Sequence, residues 1–151
     1  MEKSYYISPI GILEIICKNS ALISLKLVDK AEFTVSKTDF IKRIEFQLDE
    51  YFKGKRHKFD IKIKAEGTDF QKKVWAELLK IPYGTTVSYS KIASCIGNKN
   101  AQRAVGSACN KNPVLIIIPC HRVISKCGKI SGFACGVDIK KKLLHLENHI
   151  M

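Results

Sequence analysis

At the segment 64-KAEGTDF-70, a mixed strand-and-helix pattern of apolar residues gives way to a mainly helical one. This change constrains the fold more than any other feature. Before it, short and alternating apolar runs predict three strands, a helix and a fourth strand, at 5–8, 12–17, 22–28, 40–52 and 59–63. After it, apolar residues recur mainly at helical spacing. The pattern predicts an α+β protein with two domains: a small N-terminal sheet-plus-helix domain at 1–66 and a mostly helical domain at 67–151.

The second domain contains the outline of a helix-turn-helix. Its apolar spacing predicts four helices, at about 69–79, 88–96, 99–109 and 138–149. A short helix, a turn containing Gly97 and a second helix with Gln102, Arg103 and Ser107 facing outward is an arrangement found in DNA-binding proteins. Many helical hairpins bind nothing, so the outline needs support from another property of the chain.

Charge supplies that support. The chain has 26 Lys and Arg residues against 14 Asp and Glu residues, a formal net charge of +12. A basic surface without a partner is one interpretation of this excess. Nucleic acid is the favoured partner, because cationic side chains gain free energy by displacing counterions from phosphates.

Two further properties concern cellular location and metal binding. The longest aliphatic run, 114–118, is too short to cross a bilayer, and the first eleven residues lack the apolar segment of a signal peptide, so we expect a cytoplasmic protein without membrane contact. The even number of cysteines, six, would suit disulfides in a secreted protein, but without a signal peptide and in a chain of this size we expect reduced thiols. They include no C-x-x-C pair, so we expect no zinc. A metal site remains the less favoured alternative, formed by Cys120, His121, Cys127 and Cys135.

The segment 115-LIIIPCHRVI-124 looks like the end of a buried strand that leads into a chemical site. An imidazole or a cation beside a cysteine raises its thiolate fraction, and Cys120 has both in His121 and Arg122. Adjacent residues of a strand face opposite sides, so proton transfer between Cys120 and His121 needs a bend or a bridging water. Pro119 favours the bend, and Glu147 is a candidate to orient the imidazole. The alternative is a buried cysteine beside a core histidine.

The longer stretch 112-NPVLIIIPCHRVI-124 closely resembles the active-site segment of the O6-alkylguanine-DNA alkyltransferases, the methylated-DNA–protein-cysteine methyltransferases, for which Pro-Cys-His-Arg-Val is a specific signature. The resemblance covers about 67–147 and includes 82-PYGTTVSYSKIA-93 and 101-AQRAVGSA-108. It implies direct-reversal repair by a monomer without a cofactor. One methyl or alkyl group would pass irreversibly from guanine O6, or thymine O4, in double-stranded DNA to the protein. The N-terminal domain would be ribonuclease H-like and supportive.

The resemblance also assigns catalytic roles. Cys120 would accept the alkyl group, His121 would act as a base through water, and Glu147 would orient His121. Asn112 would hold the turn beside the cysteine, and Tyr89 would protonate or polarise the departing guanine and crowd its phosphate. For the last three residues a role without chemistry remains the alternative: a surface charge or a helix-end salt bridge for Glu147, turn formation for Asn112 and packing for Tyr89.

Other residues would contact the DNA or the flipped base. Arg103 would occupy the gap in the base stack, or alternatively contact a phosphate, while Ser90 and Asn98 would lie near the backbone. The pocket for guanine would be walled by Gly132, Phe133 and Ala134. Departures from the usual family sequence bear on the shape of that pocket and the size of alkyl group it accepts, and they lie at Leu115, Phe133 and Cys135.

Three rival functions remain open from the sequence alone. A non-enzymatic binder of alkylated DNA would flag lesions for other pathways, although the presence of Cys120 argues against it. A Cys–His hydrolase would turn over repeatedly. A helix-turn-helix transcription factor would bind a particular DNA sequence and would be indifferent to Cys120.

Overall fold

A computed structural model of the protein describes residues 1–32, 37–128 and 136–147. The chain divides into two compact units, Met1–Glu66 and Gly67–Met151. Sheet and helix occur in the first unit, and helices dominate the second, so the predicted α+β class is confirmed. Among the helices within the described segments, none combines the length and hydropathy needed to span a bilayer.

The first unit contains an antiparallel meander of three strands, β1 (Glu2–Ser8), β2 (Gly11–Lys18) and β3 (Ala21–Val28), in the order β1-β2-β3. The loop between β2 and β3 has two residues, Asn19 and Ser20, both with positive φ. Two-residue loops of this geometry match the twist of the strands that they join. The three strands predicted at 5–8, 12–17 and 22–28 are confirmed.

Helix α1 (Asp39–Phe52) begins at Thr38, whose side chain accepts a hydrogen bond from the Ile41 backbone N–H. The predicted strand at 59–63 is wrong, since only Ile63 pairs with the sheet, as an isolated parallel bridge to Leu22. The side-chain amide of Gln47 bonds both backbone polar groups of Asp60, at 2.9 Å and 3.4 Å. This helix residue therefore takes the hydrogen bonds that a fourth strand would have made.

The second unit contains four α-helices among its described residues: α2 (Asp69–Leu78), α3 (Tyr89–Cys95), α4 (Gln102–Asn110) and α5 (Val137–Leu146). A reciprocal capping box between Thr68 and Gln71 begins α2. The buried indole N–H of Trp75 donates to the Ala108 carbonyl at 2.9 Å, which joins α2 to α4. The predicted helix-turn-helix corresponds to α3 and α4.

The run 114–118 is buried as expected, but it is a series of turns and not a strand. Asn112 causes this: its Oδ1 accepts from Val114 N–H at 2.9 Å, and its Nδ2 donates to the Ile118 carbonyl at 2.7 Å. Inside the loop that these bonds close, Ile116 has a φ of 73°, which is rare for a β-branched residue. The amide of Asn112 therefore folds the segment back on itself.

After these turns, the chain passes through one 3₁₀ turn, Cys120–Arg122, and enters strand β5 (Val123–Ile124). This strand pairs in parallel with β4 (Val87–Ser88), which directly precedes α3. The short ladder therefore attaches the segment after Cys120 to the first helix of the helix-turn-helix.

Candidate active site

Cys120 begins the 3₁₀ turn, immediately after Pro119. A 3₁₀ turn separates successive side chains by about 120°, so Cys120 and His121 do not point to opposite faces as they would in a strand. The departure from strand geometry that Pro119 predicts is therefore present. The Cys120 side chain is largely buried, and its Sγ accepts a hydrogen bond from Asn112 Nδ2 at 3.1 Å.

His121 and Glu147 form a buried pair, with Nε2 and Oε2 2.7 Å apart. An ionised carboxylate can only accept hydrogen bonds, so the proton lies on Nε2. His121 Nδ1 is buried and has no hydrogen-bond partner among the described residues. Burial lowers the pKa of His121, opposed by Glu147 and assisted by the charges of Arg122 and Lys140. The neutral imidazole therefore presents a basic Nδ1 lone pair.

Arg122 is the other partner of Glu147. Its Nε donates to Oε1 at 2.8 Å and its Nη2 donates to Oε2 at 3.0 Å, a bidentate pair. The third nitrogen, Nη1, donates to the Ile81 carbonyl at 2.7 Å, and the guanidinium carbon lies 5.8 Å from the centre of the Tyr83 ring. From the sequence, Arg122 is predicted only as a cation beside the thiol, and its contact with Glu147 is not predicted.

Tyr89, at the start of α3, contacts a fully buried lysine that the sequence analysis misses. Lys140 Nζ lies 3.4 Å from the Tyr89 hydroxyl and 5.7 Å from the centre of its ring. Burial is the main cause that raises the pKa of Tyr89 to about 12, and burial lowers the pKa of Lys140. A signal exists in the sequence: Lys140 is three and four residues before Leu143 and Leu144, so it shares their buried helix face.

The DNA-binding candidates lie on α3, α4 and the turn between them. Arg103 is exposed on the first turn of α4, and Asn98 is exposed in the turn, where its Oδ1 accepts from Asn100 N–H. Ser90 is half-buried, with its Oγ 3.0 Å from that of Ser88, the cap of α3. The structure thus brings together one group around Cys120 and another on the helix-turn-helix.

The three predicted pocket residues, Gly132, Phe133 and Ala134, lie outside the described residues. Cys135, which the alternative metal site requires, also lies outside them. Within the described residues, no three His, Cys, Asp or Glu side chains are grouped in a way that could hold a metal ion.

Positive charge is concentrated in the unit that contains these groups. The segment 67–151 has 13 of the 26 basic residues but only four of the 14 acidic ones, so it carries +9 of the formal +12. One of the four acidic residues, Glu147, is buried against Arg122. Two of the basic residues, Arg122 and Lys140, are buried as well, so 11 basic residues face three acidic ones in the rest of the unit, an excess of positive charge that suits phosphate binding.

Comparison with known proteins gives concordant matches for both units. Residues 69–149 match the family described as 6-O-methylguanine DNA methyltransferase, DNA binding domain, and residues 1–65 match its ribonuclease-like domain. The second description agrees with the fold predicted for the N-terminal domain. A methylated-DNA–protein-cysteine methyltransferase of Methanosarcina acetivorans is 49% identical over 122 residues, which cover 81% of this chain and 78% of the relative.

Two solved structures with DNA are similar to this chain. Mycobacterium tuberculosis OGT in complex with DNA has a TM-score of 0.88 and 42% identity, and the match covers 97% of this chain and 92% of that one. S. pombe Atl1 in complex with damaged DNA containing O6-carboxymethylguanine has a TM-score of 0.50 and 32% identity, with 55% of this chain and 79% of that one covered.

Proposed function

Because the chain belongs to the 6-O-methylguanine DNA methyltransferase family and is an enzyme of direct-reversal DNA repair, we propose that Cys120 is the cysteine that accepts the alkyl group. The observation that carries this proposal is the position of the Cys120 thiol, in one turn with His121 and 3.1 Å from the amide of Asn112. The buried His121–Glu147 pair supplies a base in that turn.

The proposed reaction moves one proton and one alkyl group. The thiol proton of Cys120 passes through a water molecule to Nδ1 of His121, whose Nε2–H donates to Glu147. The thiolate then attacks the alkyl carbon in line, so that a carbon–sulfur bond forms as the bond to guanine O6 breaks. The guanine anion takes up the proton by way of His121 and solvent, which restores normal guanine.

Tyr89 assists the departure of guanine as a hydrogen-bond donor. With a pKa raised to about 12, its hydroxyl stays protonated at neutral pH and is a weak acid. Polarisation of the departing base is therefore favoured over complete proton transfer. Of the two roles that the family resemblance leaves open for Tyr89, we therefore propose polarisation.

The substrate is proposed to be double-stranded DNA containing O6-alkylguanine, with O4-alkylthymine as a second lesion. A base inside the duplex must be extruded before a thiolate can reach it, at a free-energy cost of about a few kcal/mol. We assign Arg103 to the gap left in the base stack, and Ser90 and Asn98 to the DNA backbone. The complex of the similar Atl1 with DNA containing O6-carboxymethylguanine supports this lesion class.

The thioether product is stable and has no leaving step, so each molecule is expected to act once. We propose that the protein acts as a cytoplasmic monomer and that Met1–Glu66 provides structural support for the catalytic unit. Neither the alkyl transfer nor the proton transfer in this scheme requires a cofactor.

Mass spectrometry of the protein after incubation with duplex containing O6-methylguanine tests the assignment of Cys120. We expect one added methyl group, located on Cys120 by peptide mapping, and no second turnover. Cys120→Ala should bind the duplex yet gain no methyl group. Cys95→Ala is the matched control, because Cys95 is exposed in the same unit, and it should react as the wild type does.

Other outcomes of this experiment would refute the assignment of Cys120 or favour one of the three rival functions. Methyl acceptance by Cys120→Ala would refute the proposed nucleophile. Tight binding without any mass change would favour a non-enzymatic lesion binder, and repeated turnover would favour a hydrolase. Affinity for one DNA sequence, unchanged by Cys120→Ala, would favour a transcription factor.

A further inference from the structure

We propose that Arg122 is a positioning residue of the reaction: its guanidinium supplies the positive charge that Glu147 requires, so that His121 remains neutral and keeps Nδ1 available for the thiol proton. The inference rests on the proposed roles of Cys120, His121 and Glu147. It adds a fourth group, which acts through the Glu147 carboxylate.

The Glu147 carboxylate is held at both oxygens. Its Oε1 accepts from Arg122 Nε at 2.8 Å and from the Gly84 backbone N–H at 3.3 Å. Its Oε2 accepts from Arg122 Nη2 at 3.0 Å and from His121 Nε2 at 2.7 Å. A carboxylate has about four lone-pair sites, and these four donors, two on each oxygen, fix its orientation.

The need for Arg122 follows from burial. The Glu147 side chain is 0% exposed, and an unpaired carboxylate in such a place is strongly disfavoured. Without the guanidinium, the carboxylate would take up a proton itself or draw one onto His121. An imidazolium carries a proton on Nδ1 and cannot accept another. Arg122 removes this competition because a guanidinium is a permanent cation.

The other charged and titratable groups that face His121 do not replace Arg122. Lys140, on α5, also lowers the pKa of His121, and its Nζ lies 3.4 Å from the Tyr89 hydroxyl. Burial lowers the pKa of His121 most, and Glu147 raises it. Cys120 is the proposed proton donor. Arg122 bonds the carboxylate directly, through Nε and Nη2.

The segment 81–84 holds this arrangement in place. The Ile81 carbonyl accepts from Arg122 Nη1, and the Tyr83 hydroxyl donates to the Leu146 carbonyl at 3.3 Å beside Glu147. Gly84 has a φ of 77°, and a Cβ there would lie 3.1 Å from the Glu147 carbonyl oxygen. All three nitrogens of the Arg122 guanidinium thus donate to fixed acceptors, Nε and Nη2 to Glu147 and Nη1 to Ile81. Such a guanidinium can hold the Glu147 carboxylate in one orientation.

The test compares Arg122→Met, which removes the charge and keeps a long side chain, with Arg122→Lys, which keeps the charge and loses the fork. Single-turnover methyl transfer is measured against pH, and the protonation of His121 is followed by ¹⁵N NMR of the imidazole. Trp75→Phe is the control, because it removes a buried hydrogen bond of the same unit without touching Glu147.

In the wild type we expect a neutral imidazole with its proton on Nε2 at pH 7. In Arg122→Met, His121 should remain protonated to higher pH, and transfer at pH 7 should fall by about tenfold or more. Arg122→Lys should keep the wild-type titration of His121 with a smaller loss of rate. Trp75→Phe should lower stability without moving either pH profile.

A folded Arg122→Met protein with the wild-type titration of His121 would overturn the inference while leaving Cys120 as the acceptor. If Arg122→Met does not fold, the wild-type NMR spectrum and Arg122→Lys decide: an imidazolium at pH 7, or an Arg122→Lys profile displaced to higher pH, would overturn it. A wild-type protein that gains no methyl group on Cys120 would remove the proposed function and this inference together.

Discussion

Asn112 uses both ends of its side-chain amide, and this double use links the reactive thiol to the turn that positions it. The oxygen accepts from Val114 N–H, while the nitrogen donates to the Ile118 carbonyl and to Cys120 Sγ. Of these three contacts, the hydrogen bond donated to Cys120 Sγ bears directly on chemistry, because such a bond stabilises negative charge on sulfur. The other two contacts close the loop that contains the unusual φ of Ile116.

Substituting Asn112 by Asp keeps the contact made by its oxygen and removes both contacts made by its nitrogen. Asp keeps an oxygen for Val114 N–H but places a second oxygen, with negative charge, beside the sulfur and the Ile118 carbonyl. We expect methyl transfer at pH 7 to fall by more than tenfold, and unfolding free energy to fall by about 1–3 kcal/mol. Single-turnover rates and denaturant unfolding measure the two effects. Asn110→Asp, an exposed change at the end of α4, is the control, and equal rates for both variants would contradict the role given to Asn112.

Sequence reasoning identifies side chains whose chemistry is unusual in their local context, and it misses those whose role depends on a distant partner. Cys120 and His121 stand out because a nucleophile and a base are adjacent in a specific motif. Arg122 belongs to the same motif, yet its contact with Glu147 joins residues 25 apart in the chain. Lys140 is one of three consecutive lysines, and only helix geometry shows that it is the buried one.

At the scale of elements, the helices are predicted well because their signals are local. Thr68, Ser88 and Thr38 each cap a helix with their own side chain, and the apolar spacing then fixes the buried face. Both errors concern apolar segments read as strands, at 59–63 and 114–118. In each segment, a side-chain amide, that of Gln47 or of Asn112, makes hydrogen bonds with backbone groups that would otherwise pair in a strand. The spacing of apolar residues contains no information about these bonds.

The helix-turn-helix formed by α3 and α4 carries a prediction about base extrusion. If Arg103 occupies the gap in the stack, Arg103→Ala should slow repair of duplex by about tenfold, or roughly 1.4 kcal/mol, because extrusion loses its support. Reaction with free O6-benzylguanine needs no extrusion and should change little. Rates on both substrates make the measurement. Arg103→Lys distinguishes the alternative phosphate contact, since full recovery by lysine would show that charge alone matters.

At the scale of the whole molecule, charge is divided unequally between the two units. The segment 67–151 carries +9 of the formal +12, and the remaining +3 belongs to 1–66, where 13 basic residues face ten acidic ones. Several lysines and arginines of the first unit are paired with carboxylates, as in Arg43–Asp60 and Lys53–Asp49. Its cations are therefore largely balanced by acidic residues, whereas the second unit has 13 basic residues against four acidic ones.

This division predicts how DNA affinity responds to salt. The logarithm of the binding constant should fall linearly with the logarithm of salt concentration, with a slope of about −0.9 for each phosphate neutralised. Lys91→Ala removes an exposed cation of α3 and should reduce the magnitude of the slope by about 0.9. Lys55→Ala removes an exposed cation of the first unit and should leave the slope unchanged. Fluorescence anisotropy at several salt concentrations measures all three proteins, and a flat response, or equal changes for the two variants, would contradict the assignment of DNA binding to the second unit.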